Sequence, residues 1–258
     1  MQLYLALPPD RVKDGLSMTS RLAHAAFCVS ADGALLSQPL PPALRGGWML
    51  LSFRVQLPPQ AAAALSREIM DVCISRHFAG IVLDAEDHCC AACRPLLQHL
   101  LQLCAQQHRQ LYVPEALAHD APQARVLVCT ALSGGTLRYR LEEAVCRYGA
   151  HRIALDLQRL MMDFPLPCPG GEGTPLMPEK LQQLQKQRRV YYCGDLCAHY
   201  FTYACGNQPH FVLFDNAESI LRKMELAERL GIREGFVVWQ EVQDLLAQLF
   251  AKKKEGEP

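Results

Sequence analysis

The sequence predicts a single (β/α)8 TIM barrel of the α/β class, with a small hairpin insertion after its seventh strand. Three observations predict it. Its 258 residues match the roughly 250 of one such barrel. Short apolar runs alternate with longer helical patterns, as repeated βα units of a parallel sheet do. The spacing then breaks once, where a Pro- and Gly-rich stretch precedes two further strand-like runs.

The strand-like runs are residues 2–7, 25–29, 48–53, 80–84, 110–113, 125–130, 152–157 and 235–239; eight is the count a closed barrel needs. Helical periodicity covers 59–77, 87–108, 136–148, 217–230 and 240–252, with Gly231 placed as a C-cap glycine behind the fourth of these. Pro165, Pro167, Pro169, Gly170, Gly171 and Gly173 mark the long loop. A helix over 178–188 follows, then runs at 198–203 and 210–213 joined by Gly206-Asn207, which reads as a hairpin turn. The expected organisation is a barrel over 1–251, an insertion within it over 165–216, and a disordered tail over 252–258.

Lysine plus arginine equals aspartate plus glutamate at 26 each, so no strong field points to nucleic acid or to an anionic membrane. The first nine residues lack the basic start and apolar core of a signal peptide. The expected location is therefore cytoplasmic, with spore association as the other possibility. Twelve cysteines in such a chain are expected as reduced thiols. Cys90 and Cys93 have the spacing of a zinc half-site, which Cys193 and Cys197 could complete. Cys89, Cys93, Leu96, Leu97, Leu100 and Cys104, however, recur at helical steps and read as one buried stripe. No metal and no organic cofactor are expected.

The segment richest in chemistry is Phe78-Ala79-Gly80-Ile81-Val82-Leu83-Asp84-Ala85-Glu86. Residues two apart on a strand share a face, so Val82, Asp84 and Glu86 point the same way, into the barrel at the strand end where active sites form. Two carboxylates so close repel, which favours a proton on one of them. The competing reading gives both acids to the start of the next helix, a place Asp87 fits better.

That segment resembles the fourth-strand signature of family 18 glycoside hydrolases, which runs Phe-Asp-Gly-Ile-Asp-Ile-Asp-Trp-Glu. Phe78, Gly80, Ile81, Asp84 and Glu86 keep it; Ala79, Val82 and Ala85 depart from it. The stretch from Phe211 through Asp215, Ser219, Ile220 and Lys223 to Gly231 and Trp239 is similar to the family's closing segment, and weaker echoes follow Val29 and Arg152. These are most like a bacterial branch that includes spore-cortex peptidoglycan hydrolases.

The resemblance implies a retaining mechanism in which the substrate's own N-acetyl group attacks the anomeric carbon. Glu86 is then the acid/base, Asp84 supports the acetamide, and Trp239 forms an apolar floor under the sugar. The alternative for Trp239 is barrel core. Glu115, Asp163 and Arg54, at the ends of the fifth, seventh and third strands, are further candidates for the cleft, as is Tyr203 in the hairpin, whose ring could instead pair across the strands. The tyrosine that the family carries at the end of the sixth strand is missing; Val128-Cys129-Thr130 stands there. The implied partner is an N-acetylhexosamine glycan of peptidoglycan or chitin type. The alternative is a catalytically inactive barrel that binds sugar or serves as a spore-coat scaffold. The enzyme reading requires Glu86 and Trp239 to converge on one cleft.

Overall fold

A computed structural model describes residues 1–86 and 89–251. Eight parallel strands close into a barrel: Gln2–Leu7, Leu22–Val29, Trp48–Phe53, Gly80–Ala85, Gln110–Pro114, Arg125–Cys129, Ile153–Asp156 and Glu234–Val238. The first strand pairs with both the second and the eighth, which completes the ring. Each observed strand lies within a few residues of its expected run.

Alternation along the strands divides the core in two. On the fourth strand Ile81, Leu83 and Ala85 face the helices, while Val82 faces inward. The inner cluster is small, built on Ala6, Ala23, Trp48, Tyr112, Ala154 and Phe236. Trp48 stands edge-on to Tyr112, with ring centroids 4.9 Å apart. At the strand N-termini Glu234 accepts from the Tyr112 hydroxyl and pairs with Arg125, closing the floor with a polar plug. Gly80 lets the fourth and fifth strands approach, since a Cβ there would lie 1.9 Å from the Gln110 carbonyl oxygen.

Helices Ala62–Ser75, Cys90–Gln106, Leu137–Tyr148 and Ala217–Arg229 occupy expected positions, and the predicted stripe from Cys89 to Cys104 is buried. Asp87, taken as the start of the second of these, lies outside the described residues, as does the tail over 252–258. Helix Val12–Met18 was not expected. Its Gly15 lowers helical propensity, yet a Cβ there would meet Leu7 at 2.2 Å, so the glycine serves close packing. The helix expected over 240–252 is instead two short ones, Trp239–Val242 and Leu246–Leu249. Among the described residues, no helix is long and apolar enough to cross a membrane. Of the cysteines, Cys28, Cys146 and Cys205 are exposed, so the expectation of core thiols holds for only part of the set.

The insertion is larger than a hairpin. Its sheet has five antiparallel strands in the order Thr174–Pro175, Met161–Pro165, Gln208–Phe214, Ala198–Cys205, Tyr191–Cys193, and so starts before the Pro-rich run. The expected hairpin forms its centre, with Cys205 paired to Gln208 around Gly206-Asn207. Gly206 has φ +60°, as the first central residue of a type II′ turn does. Helix Pro178–Gln185 covers one face through Leu181 and Leu184.

Where the insertion rejoins the barrel, Asp215 and Lys223 are fully buried. Lys223 Nζ donates to Asp215 Oδ2 at 2.6 Å, and the Leu160 amide donates to the same oxygen at 3.0 Å. Ser219 Oγ donates to Oδ1 at 2.7 Å and also takes part in a capping box with Asn216. Removing one partner strands a buried charge. Lys223→Met is expected to cost about 3–5 kcal/mol in urea unfolding; a loss under about 1 kcal/mol, the size of a surface pair, would contradict this.

Candidate active site

The C-terminal mouth of the barrel opens into a cavity of ≈ 910 Å³. Strand alternation sets its lining. Val82 faces the interior, so Asp84 and Glu86 follow on the same side and reach the cavity. By the same rule Ser52 and Arg54 enter from the third strand, Cys129 from the sixth and Asp156 from the seventh. Val238 and Gln240 reach it from the eighth, with Phe236 below them.

Arg54 lies between the two acids of the signature. Its Nη2 is 2.7 Å from Asp84 Oδ2 and its Nε 2.7 Å from Glu86 Oε1. Its Nη1 also donates to the Asp84 carbonyl at 2.5 Å. The expected repulsion within the carboxylate pair is therefore offset by a guanidinium. Asp84 and Glu86 are 45% and 52% exposed, so each ion pair contributes at most about 1 kcal/mol.

Three titratable groups of the cavity escaped sequence reasoning. Burial lifts the Asp156 carboxyl to about 6; the Gln158 amide, 2.7 Å away, opposes that, and Glu241 and Asp84 add to it. Burial also raises Glu241, against the Arg159 amide that donates to it at 2.9 Å. Burial pushes the Cys129 thiol up, with Asp156 contributing. A signal existed for Asp156: Ala154 faces inward, so the residue two along does too. Among the described residues no three His, Cys, Asp or Glu side chains gather as a metal site.

Other expected members are elsewhere. Trp239 starts a helix and is buried in the outer core. Phe236 and Val238 take the inward positions of the eighth strand, so its neighbour points out. The convergence of Glu86 and Trp239 therefore fails, and the aromatics that line the cavity are Phe27 and Phe236. Glu115 borders the cavity, but Arg140 pairs with its carboxylate and the Tyr148 hydroxyl donates to it at 3.3 Å. Asp163 and Tyr203 lie within the inserted sheet and do not border the cavity. Tyr203 donates to Asp163 at 2.6 Å and stacks on its cross-strand partner His210 at 4.7 Å.

The fold is shared with solved glycoside hydrolase structures, among them a GH18 chitinase. No family model matches the sequence, and no curated protein does. Solved structures do match. The spore cortex-lytic enzyme SleL of Bacillus megaterium is 19% identical over 97% of this chain and 72% of its own, with a TM-score of 0.67. A chitinase from Chromobacterium violaceum is 16% identical over 98% of this chain and 100% of its own, also at 0.67. A GH18 chitinase from Cycas revoluta, solved in complex with (GlcNAc)4, is 12% identical over 97% of this chain and 99% of its own, at 0.63. At these identities the likeness carries the fold.

The raised Asp156 value has a stability consequence. A carboxyl raised from 3.8 to about 6 on folding stabilises the fold while protonated, and that contribution is lost as pH rises through about 6. Asp156→Asn is expected to remove this dependence, flattening the unfolding free energy against pH between about 4 and about 6 by at most about 3 kcal/mol. An unchanged pH dependence in thermal unfolding would refute the assignment.

Proposed function

We propose that this barrel takes an N-acetylhexosamine glycan, of peptidoglycan or chitin type, in its mouth cavity, and that recognition rather than turnover is its main output. The observation that carries the reading is the cavity itself. It lies at the C-terminal end of the strands, where barrel sites form, and holds Asp84 and Glu86 side by side over a base that includes Phe236. Polar groups above an apolar base suit a sugar, which has hydroxyl edges and a C–H face. The fold shared with a cortex-lytic enzyme and with chitinases supports the ligand class, and peptidoglycan is preferred because the sequence echoes are of spore type.

Weak turnover follows from the composition of the cavity. Trp239 supplies no floor, Cys129 stands where a tyrosine is expected, and Val82 replaces an inward aspartate. Loss of one preorganised donor typically costs ~100- to 1,000-fold in rate. The second reading is a retaining, substrate-assisted glycosidase with Glu86 as acid/base and Asp84 supporting the acetamide. It is favoured by the arrival of both carboxylates in the cavity.

Two measurements decide between these readings: calorimetric titration with (GlcNAc)4 and purified cortex peptidoglycan, and hydrolysis of a fluorogenic di-N-acetylchitobioside. Binding with little turnover, unchanged in Glu86→Gln, is the expected result. Rapid hydrolysis lost in Glu86→Gln would establish the glycosidase instead, and no binding of either glycan would remove both.

A further inference from the structure

We propose that Asp156 is the specificity-determining residue of the mouth cavity, offering its free carboxyl oxygen to the carbonyl of a ligand's N-acetyl group. The inference rests on the reading of the cavity as a glycan site, and it names the group by which an acetylated glycan is told from one with bare hydroxyls.

Register sets the position. Asp156 is the last residue of the seventh strand, and it pairs with Cys129 on one side and Phe236 on the other. Neighbours in register on a sheet share a face, so the carboxyl stands between a thiol and an aromatic ring, and all three line the cavity. The Gln158 amide donates to Oδ2 at 2.7 Å. Among the described residues nothing donates to Oδ1. An oxygen that already accepts an amide N–H is the acceptor of a carboxylic acid, so the acid's proton falls on Oδ1 and makes it a donor.

The surroundings favour that proton. Burial raises the carboxyl to about 6; the Gln158 amide opposes this, while Glu241, from the short helix after the eighth strand, and Asp84, from the fourth strand, add to it. The cations nearby are engaged elsewhere: Arg54 with Asp84 and Glu86, Arg159 with Asp244 and the carbonyls of Asp215 and Glu241, and Lys223 with Asp215. Cys129 is held as a thiol by burial, with Asp156 contributing.

A neutral O–H beside an apolar ring suits an acetamide, which pairs a carbonyl acceptor with a methyl group. The carbonyl oxygen accepts from Oδ1 and the methyl rests on Phe236. A sugar with only a hydroxyl at that carbon leaves the ring uncovered. Once ionised, Asp156 turns an acceptor toward an acceptor, and the contact is lost. A ligand held by the protonated form binds below about pH 6 and loosens as pH rises through that value.

Calorimetric titration of (GlcNAc)4, and of cellotetraose, which lacks the acetamide, would be run from about pH 5 to about pH 8 on wild type, Asp156→Asn and Asp156→Leu. Circular dichroism checks that each is folded. Wild type is expected to bind (GlcNAc)4 about tenfold tighter at the acid end than at the alkaline end, with cellotetraose weak throughout. Asparagine puts an amide N–H where the acid has its O–H, so Asp156→Asn should keep the tighter affinity at every pH. Asp156→Leu should keep the weaker one, with the preference over cellotetraose reduced about tenfold. A flat wild-type profile, or a preference for (GlcNAc)4 that Asp156→Leu retains, overturns the inference and leaves the glycan reading standing. So does a pH dependence that survives in Asp156→Asn, which would belong to Glu241. Should Leu unfold the barrel, Asp156→Asn decides by the same profile. Absence of binding of either glycan, in wild type and variants alike, would overturn the glycan reading and this inference with it.

Discussion

Closing eight strands into a ring gives every strand residue one of two environments, and there is no third. A side chain either enters a narrow interior or joins the layer beneath the helices. On the fourth strand this places Val82 inside and Ile81, Leu83 and Ala85 outside, and it carries Asp84 and Glu86 to the mouth. The same alternation on the eighth strand admits Phe236 and Val238 and turns Trp239 away. The cavity is thus largely a readout of register, which the parallel pairing of each strand with its neighbours fixes.

The alternation also explains what could be read in advance. The barrel, its eight strands, the inward face of the fourth strand and the buried stripe of the helix behind it follow from periods of two and of about 3.6 residues, which a chain shows without its neighbours. Trp239 departs from the expected floor because it lies three positions beyond the inward-facing Phe236, and an odd step on a strand reverses the face. Asp156 sat inside an expected strand and needed only the same count. Other features carry no periodic signal. Helix Val12–Met18 contains a glycine whose use is a contact with Leu7. The partner of Glu115 lies 25 residues along the chain, at Arg140, and the five-stranded sheet of the insertion depends on a long-range pairing of Met161–Pro165 with Gln208–Phe214.

Charge is distributed unevenly within a chain of zero net charge. The interior holds one compensated pair at its floor, Arg125 with Glu234, and an excess of carboxyl groups at its mouth. Desolvation keeps Asp156 and Glu241 reluctant to ionise, whereas Asp84 and Glu86 remain in contact with solvent and with Arg54. Acids at two depths therefore differ in surroundings: the deep ones are desolvated, and the outer ones meet solvent and a guanidinium.

The insertion leaves and re-enters the barrel at a single point. The Asp215 amide donates to the Leu160 carbonyl at 2.7 Å, and the Leu160 amide to the Asp215 carboxylate at 3.0 Å. The helix that follows is anchored to that clasp by Lys223, and the inserted chain meets the barrel again where the Leu137 amide donates to the Asp195 carbonyl at 2.7 Å and Cys197 joins the main core. A change of length within the sheet, away from Asp195 and Cys197, would leave the two flanking barrel strands, the mouth cavity and the buried lysine in place, because none of the cavity lining comes from the inserted strands.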